Sequence, residues 1–238
     1  MMDIHKYRYK TELHSHTSPA SSCSEIAPKL AVKLYAELGY HSIVVCNHFY
    51  PGMRFVEDKQ KCIDAYLADY DLAIEAGEKY GINVILGCEL RFSENVNDYL
   101  LFGIDRDFLS QAYECLDMGI QAFSKEFRGD GHLLIQAHPF RDGMTPVPPE
   151  CLDGIETFNM HPHHNSRVAL AAKYAREHDL IPTAGTDFHH LGHEGLSALL
   201  TETEMKTSHD IAQVLKSRNY IFEVGGCPVL PTADRKII

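Results

Sequence analysis

Short apolar runs typical of β-strands alternate with helical patterns along the whole chain. The strand-like runs, rich in β-branched and other apolar residues, are 41–46, 83–88, 98–104, 132–137, 154–159, 181–186 and 220–224. Their apolar residues are continuous rather than alternating, which is typical of strands buried on both faces of a parallel sheet. Regular alternation of such strands with helices predicts an α/β fold built from βα units.

Four stretches between these runs have the periodicity of helices. They are residues 26–38, 57–80, 168–175 and 208–218. Gly39 and Gly81 follow the first two as helix stops, and Ser208 is the expected N-cap of the last. About seven βα units in 238 residues favour a single domain, residues 1–238, that closes into a barrel rather than an open sheet.

The composition is acidic and rich in histidine. A formal net charge of −11 disfavours non-specific binding to nucleic acids, because it repels their phosphates. Histidine, the commonest metal ligand, occurs 15 times, more often than proline at 11. The 7 cysteines include no CxxC pair, the opening MMDIHKYRYK contains no secretion-type apolar segment, and no apolar run is long enough for a membrane span. We therefore expect a cytoplasmic protein with reduced thiols, no membrane partner and no nucleic-acid module.

Metal-type ligands follow nearly every predicted strand. In chain order they are His14, His16, His48, Glu89, His138, Asn159, His161, Asp187 and His189. The carboxyl ends of the strands carry the active site in α/β barrels. One such residue at a strand end would carry little weight, whereas their regular recurrence predicts a shared site.

Two pairs have the spacing of ligands on one face of a strand. Residues i and i+2 point to the same side, so His14 and His16 can reach one ion together, and Asp187 and His189 form a matching pair. Glu89 follows an apolar strand, where an unpaired carboxylate is costly to bury, and bridging two cations would remove that cost. Imidazoles combined with carboxylates favour Zn, Mn or Fe over Ca or Mg alone.

The motifs ELHSHTS, VVCNHF, LGCEL, QAHPFR, GIETFN and AGTDFHH follow one another between residues 11 and 190. In their order and strand-end placement they resemble the polymerase and histidinol phosphatase (PHP) family of metal-dependent phosphoesterases. The resemblance covers most of the chain. It implies a distorted, TIM-like (β/α)7 barrel, two or three divalent metal ions, and hydrolysis of phosphoesters by metal-activated water.

Carried over residue by residue, the resemblance assigns the metal ligands to matching motif positions. The first ion would be held by the two paired motifs and the bridging carboxylate, namely His14, His16, Glu89 and Asp187. The second ion would be held by Glu89 and His138, and the third by His48 and His189.

Three stretches depart from the family pattern. SPASSCSE supplies Cys23 where the family often has an Asp or His, and Cys23 is either a thiolate ligand or a small packed residue. Asn47 stands where the family usually has an acid. Asp98 lies in the strand that often offers a further His, and is either a substitute ligand or a surface residue at the strand start. Occupancy of the third ion site is therefore not implied.

Two arginines and two histidines are candidates for handling the substrate. Arg141 and Arg91 closely follow motif residues; the guanidinium fork fits phosphate oxygens, and the alternative for each is a salt bridge on the barrel rim. His48 or His161 is a candidate for protonating the leaving oxygen. The remaining histidines of these loops are expected to face solvent, namely His163, His164, His190 and His193.

A small phosphorylated molecule is the expected substrate, because the chain is acidic and contains no added nucleic-acid module. The leading interpretation is a phosphatase acting on a small phosphomonoester, as histidinol phosphatases do. Two alternatives stay open: a nuclease or nucleotidase for short oligonucleotides or nucleotides, and a metal-binding module without catalysis. A barrel of the amidohydrolase type is disfavoured, because no lysine follows a predicted strand.

Overall fold

The computed structural model describes residues 3–52, 58–129 and 131–230, and strands alternate with helices along most of these ranges. The strands are β1 (Tyr9–Ser15), β2 (Ser42–Val45), β3 (His48–Phe49), β4 (Asn83–Leu86), β5 (Cys88–Arg91), β6 (Asp98–Phe102), β7 (Leu133–Gln136), β8 (Gly154–Asn159), β9 (Ile181–Gly185), β10 (Ser197–Thr201), β11 (Ile221–Val224) and β12 (Cys227–Val229). The helices are α1 (Pro28–Glu37), α2 (Lys59–Tyr80), α3 (Phe108–Cys115), α4 (Ile120–Phe127), α5 (Val168–Glu177) and α6 (Ser208–Ser217). This alternation confirms the α/β class.

The described strands form two six-stranded sheets rather than the closed parallel barrel that the sequence favours. Their orders are β12-β11-β10-β1-β2-β4 and β3-β5-β6-β7-β8-β9. The pairs β1–β2, β2–β4, β7–β8 and β8–β9 are parallel, whereas β6 runs antiparallel to β5 and β7, and β10 runs antiparallel to β1 and β11. A short link without a helix, such as residues 92–97 between β5 and β6, joins antiparallel strands. Prediction of uniform βα units overlooks such links.

Two breaks in strand pairing carry the chain from the first sheet to the second. The chain leaves β2 through Cys46 and Asn47 to form β3, and leaves β4 through Gly87 to form β5. A Cβ atom on residue 87 would lie 2.6 Å from Cγ1 of Val44. The close approach of the two strands at this break therefore requires glycine.

A second junction joins β1 to the segment that follows β9. The backbone N–H of His16 donates to the carbonyl of Phe188 over 3.0 Å, and the N–H of Phe188 donates to the carbonyl of His14 over 3.2 Å. These bonds hold the His-x-His motif beside the loop that carries Asp187. The two junctions together bring the ends of β1, β3, β5 and β9 to one place.

Helix caps agree with the sequence signals, with one correction. Gly81, at φ 73°, ends α2, and its N-cap Asp58 accepts from the backbone N–H of Gln60; residue 57 of the predicted helix lies outside the described residues. The N-cap of α6 is Thr207, not Ser208, because Thr207 forms a reciprocal capping box with Asp210.

Apolar side chains from strands and helices pack into buried clusters, in which aromatic residues such as Tyr66, Phe102 and Phe123 are fully enclosed. Burial of this kind is the main driving force for the fold. Among the residues that the structure describes, no helix combines the length and the apolar character that crossing a bilayer requires.

Candidate metal centre

A cavity of about 540 Å³ opens where the sheets bring these strand ends together. Its walls carry most of the residues singled out from the sequence, namely Cys23, His48, Arg91, His138, Arg141, His161, Asp187 and His189. A larger depression of about 750 Å³ lies elsewhere and has no histidine in its walls. The chemistry of the side chains therefore points to the smaller cavity.

The His-x-His motif lies behind the cavity wall, against the lining residues His138, Asp187 and His189. His14 and His16 are fully buried, and their Nε2 atoms are 3.0 Å apart. Nδ1 of His14 lies 2.8 Å from Oε1 of Glu156, and Nδ1 of His16 lies 3.1 Å from Oγ of Ser21. Each ring is thus oriented from behind through Nδ1, which is how metal-ligating histidines are commonly positioned, and Nε2 faces the centre.

Glu89 lies at the middle of a cluster of histidines. Each of four histidines places one imidazole nitrogen near its carboxylate. The nearest atoms are Nε2 of His14 (3.4 Å), Nε2 of His16 (3.3 Å), Nδ1 of His48 (2.7 Å) and Nε2 of His138 (3.2 Å). Oε2 of Glu89 is buried and, despite the near atoms of His16 and His48, makes no hydrogen bond of acceptable geometry. A buried carboxylate oxygen without such a bond is costly, and a cation would satisfy it.

Asp187 closes the cluster from the loop after β9. Its Oδ1 lies 3.4 Å from Nε2 of both His14 and His16, and 3.3 Å from Nδ1 of His189. Its Oδ2 accepts from Nδ2 of Asn159 over 3.1 Å. The φ angle of Asp187 is 54°, a left-handed value that non-glycine residues rarely adopt and that is concentrated at functional sites.

Three groups of donor atoms are close enough for each to hold one ion. The atoms within each group all lie within 4.8 Å of one another, and the groups are His14–His16–Glu89, His48–Glu89–Asp98 and His16–His48–His189. These groups contain five of the seven principal ligands that the sequence predicts, and the other two lie beside them, His138 against Glu89 and Asp187 against His14 and His16. Glu89, His16 and His48 each belong to two groups, so neighbouring ions would share ligands.

Asp98 is a fully buried residue of β6 and not a surface residue at a strand start. Its two carboxylate oxygens accept from Nε and Nη2 of Arg91, each over 2.7 Å, and Oδ2 lies 3.8 Å from Nε2 of His138. The salt bridge that the sequence allows for Arg91 is therefore formed, although Arg91 also lines the cavity. Arg141 lines the cavity as well.

Cys23 lies in the cavity wall and is exposed, so it is not a packed core residue. Partial burial raises the pKa of its thiol, but contacts with the imidazoles of His189 and His48 outweigh burial and lower the pKa to about 6. A thiol with such a pKa is largely ionised at neutral pH, and the thiolate is the form that binds metals.

Opposing charges shift the pKa values of the central groups strongly. Burial raises the pKa of Glu89, yet the imidazoles of His48 and His14 outweigh it and hold the pKa well below its usual range. Burial lowers the pKa of His14, but Glu156, Asp187 and Glu89 raise it well above its usual value. A bound divalent ion would compensate the negative charge of these carboxylates in place of protonated imidazoles. The imidazoles would then be neutral, which is the form that binds metals.

Asn47 does not face the cluster as a ligand but organises the loop after β1. Its Oδ1 accepts from the backbone N–H of Thr17 over 2.7 Å and from Oγ of Ser21 over 2.9 Å. Its Nδ2 donates to Oγ1 of Thr17 over 2.9 Å. Asn47, which stands where the family usually has an acid, is thus a buried residue whose amide has a structural role.

Some buried polar residues of the centre were not predicted from the sequence. Glu12, on β1, accepts from the backbone N–H of His14 and of Thr186, both over 2.9 Å. Glu156, on β8, holds His14, as described above. Their signal in the sequence is an acid within an otherwise apolar strand, in ELHSH and GIETF, where a free carboxylate would be costly to bury.

The loop histidines differ from one another in exposure. His163 is exposed as expected, whereas the side chain of His164 is only 15% exposed and its Nδ1 lies 3.3 Å from Oδ2 of Asp187, which contradicts a solvent-facing position. His161 is buried and its ring stacks on His164 with centroids 3.8 Å apart. Burial lowers the pKa of His161 to about 3, so this ring is neutral near pH 7 and is a poor proton donor there.

Some proteins of known structure have a fold similar to that of this chain. No protein-family model and no curated protein matches the chain. Among solved structures, the chain is similar to a two-domain protein from Bacteroides vulgatus ATCC 8482 that contains a predicted PHP-like metal-dependent phosphoesterase, with a TM-score of 0.62 and 18% identity over 91% of this chain. The chain spans 64% of the length of that protein. PsfC from Pseudomonas syringae PB-5123 is similar with a TM-score of 0.56 and 17% identity, over 85% of this chain and 86% of PsfC.

At these identities the likeness establishes the fold. The chain shares its overall fold with these two proteins, one of which contains a predicted domain of the PHP-like kind that the motifs of this chain resemble.

Proposed function

We propose that this chain is a metal-dependent hydrolase that acts on a small phosphomonoester. The observation that carries the proposal is the position of Glu89, whose buried carboxylate has four imidazole nitrogens within 3.4 Å and one oxygen without a hydrogen bond. Such a constellation of histidines around a shared carboxylate suits a cluster of divalent ions. The PHP-like fold supports the same chemistry.

The donor set fits two or three ions of Zn, Mn or Fe. His14, His16, Glu89 and Asp187 would hold the first ion, and Glu89 with His138 the second. The third would lie between His48 and His189, with Cys23 beside them as a further ligand. When bound, the ions supply positive charge for the phosphate and lower the pKa of coordinated water.

The chain itself supplies positive charge beside this cluster. Arg141 and Arg91 both line the cavity, and a guanidinium fork matches phosphate oxygens. Arg91 donates two of its N–H groups to Asp98, which fixes its orientation and leaves about three donors for a substrate. We assign both arginines to phosphate binding, with Asp98 as the residue that positions Arg91.

The size of the cavity supports a small substrate. About 540 Å³ is the volume of a pocket for a small molecule, and the net charge of −11 opposes long polyanions. Phosphomonoesters of the histidinol phosphate type are therefore the substrates we propose to test first. Short oligonucleotides and nucleotides are the alternative substrates.

The test compares Asp187→Asn with Asp64→Asn, a matched change at an exposed residue of α2. Each protein is purified without chelator, its Zn, Mn and Fe are counted, and hydrolysis of p-nitrophenyl phosphate, histidinol phosphate and a dinucleotide is measured. We expect Asp187→Asn to lose at least one ion and to lower kcat/KM for the monoesters by about 100-fold or more, because loss of outer-sphere partners alone costs about 10–100-fold.

Full activity in Asp187→Asn would overturn the proposed site. Preference for the dinucleotide would replace the phosphatase by a nuclease. Metal without hydrolysis of any phosphoester would favour a non-catalytic module.

A further inference from the structure

Three histidines that the family resemblance does not assign as metal ligands lie together beside the cavity, and two of them, His163 and His190, line it. His163 belongs to the loop between β8 and α5, and His190 and His193 belong to the loop after β9. Their ring centroids are 4.9 Å (His163–His193), 5.5 Å (His190–His193) and 6.1 Å (His163–His190) apart. None of the three is a ligand in the metal centre described above, so their clustering has no explanation there.

The spacing of the three rings is compatible with a shared metal ion. Zn–N bonds of about 2.0–2.1 Å in tetrahedral geometry place imidazole centroids about 5.2 Å apart. The three observed separations of 4.9–6.1 Å bracket this value. Convergence of the nitrogens requires rotation about the Cβ–Cγ bonds, since this trio is not among the groups whose donor atoms already lie within 4.8 Å. That torsion is soft in histidine.

A carboxylate and an unused nitrogen accompany the rings. Oε1 of Glu25, in the loop after β1, lies 3.5 Å from Nδ1 of His190, and 58% of the Glu25 side chain is exposed. Nδ1 of His193 is buried and has no hydrogen-bond partner among the described residues. Three imidazoles and one carboxylate make a complete four-coordinate set.

We propose that His163, His190, His193 and Glu25 form a second, peripheral site for a divalent transition-metal ion of the Zn²⁺ class. Imidazole donors favour Zn, Cu and Ni, and a single carboxylate completes a tetrahedron. The bound ion ties together three loops, those after β1, β8 and β9, which also carry residues of the inner centre. It places positive charge at the entrance through which an anionic substrate would pass.

The test counts Zn per chain in four proteins equilibrated with micromolar Zn²⁺ and then desalted. They are the wild type, the double variant His163→Ala/His193→Ala, the control His178→Ala/His209→Ala, which removes two exposed histidines elsewhere, and Asp187→Asn. We expect the first double variant to hold one ion fewer than the wild type, and the control to equal the wild type. Asp187→Asn should lose inner ions while keeping the peripheral one.

Anomalous diffraction at the Zn edge locates that ion directly in wild-type crystals, where a peak is expected between the three rings. His190→Ala repeats the count in case the double variant does not fold. Equal Zn in the wild type and the His163→Ala/His193→Ala variant would overturn the proposal. The same loss in the control, or no anomalous peak at the trio, would also overturn it.

Discussion

Nδ1 of His14 lies 2.8 Å from Oε1 of Glu156, and both side chains are fully enclosed. The other oxygen of Glu156 accepts from the backbone N–H of His138 over 3.0 Å and from Nδ2 of Asn159 over 2.9 Å. One carboxylate behind the cluster thus orients groups from three strand ends. Because Nδ1 of His14 is engaged, its Nε2 is left to face Glu89 and the metal centre.

Replacing Glu156 by Gln should weaken metal binding without unfolding the chain. The amide keeps the shape of the carboxylate but removes the charge that makes His14 a better ligand, and loss of such a partner lowers metal affinity by about 10–100-fold. Competition with a chelator of known affinity measures the change. Glu150→Gln makes the same substitution at an exposed site and should leave the affinity unchanged. Equal affinities for both variants would contradict the role of Glu156.

Asp98→Asn should destabilise the metal-free protein. The change leaves Arg91 with one good acceptor in place of two, at contacts that now measure 2.7 Å each. Since 35% of the Arg91 side chain is exposed and solvent screens the pair, we expect the free energy of unfolding to fall by about 1–2 kcal/mol. Urea unfolding in the presence of chelator measures this fall.

A double-mutant cycle with Arg91→Met supplies the control for that measurement. If the ion pair is the cause, Asp98→Asn should cost much less in the Arg91→Met background. Strictly additive effects would show that Asp98 stabilises the chain through another contact.

Strand periodicity predicts the direction of some of the candidate ligands but not of all of them. The i, i+2 spacing of His14 with His16 places both rings on one side of the extended chain at the end of β1. Asp187 and His189 instead lie in the loop after β9, where the left-handed φ of Asp187 breaks the strand pattern, yet Oδ1 of Asp187 still lies 3.4 Å from Nε2 of His16. Strand ends meet at one edge in parallel segments, so His48 and Glu89 could be placed there as well. Local pattern is sufficient for His14 and His16, whereas Asp187 and His189 are held in place by the hydrogen bonds between Phe188 and the end of β1.

What could not be predicted depends on contacts between distant segments. The sequence leaves Asp98 as either a substitute ligand or a surface residue at the strand start, and only the antiparallel pairing of β5 with β6 places it, fully buried, against Arg91. His164 was expected to face solvent, and only the path of its loop brings it to Asp187. The two-sheet arrangement depends on the close approach at Gly87, a steric condition that no periodicity encodes.

Restoring the family acid by Asn47→Asp should destabilise the protein and add no ion. Oγ1 of Thr17 donates to Oδ2 of Asp69 over 2.9 Å and accepts from Nδ2 of Asn47. With Asp at position 47, a carboxylate oxygen would face Oγ1 of Thr17, which already donates its proton to Asp69. Two acceptors would then face each other without a hydrogen between them, which costs about 1–3 kcal/mol. Thermal unfolding and metal counting check both parts, with Asn165→Asp as the exposed control. A rise in bound metal would contradict the structural role of Asn47.

Alkylation of Cys23 should report the ionisation of its thiol in the metal-free protein. The pKa is lowered from 9.0 to about 6, because contacts with His189 and His48 outweigh burial. The thiolate therefore predominates above pH 6 and is lost as the pH falls below that value. We expect the iodoacetamide rate constant at Cys23 to follow this titration, with its midpoint near pH 6, as measured by mass spectrometry after timed quenching.

Cys23→Ser gives the background from Cys227, the other exposed cysteine. Saturating Zn²⁺ should slow the reaction of Cys23 at pH 7 if the thiolate is a ligand between His48 and His189, because a coordinated sulfur has less free charge for attack. A midpoint near pH 9 would show that the two imidazoles do not stabilise the thiolate. An unchanged rate with Zn²⁺ would remove Cys23 from the third ion site and leave that site to the imidazoles alone.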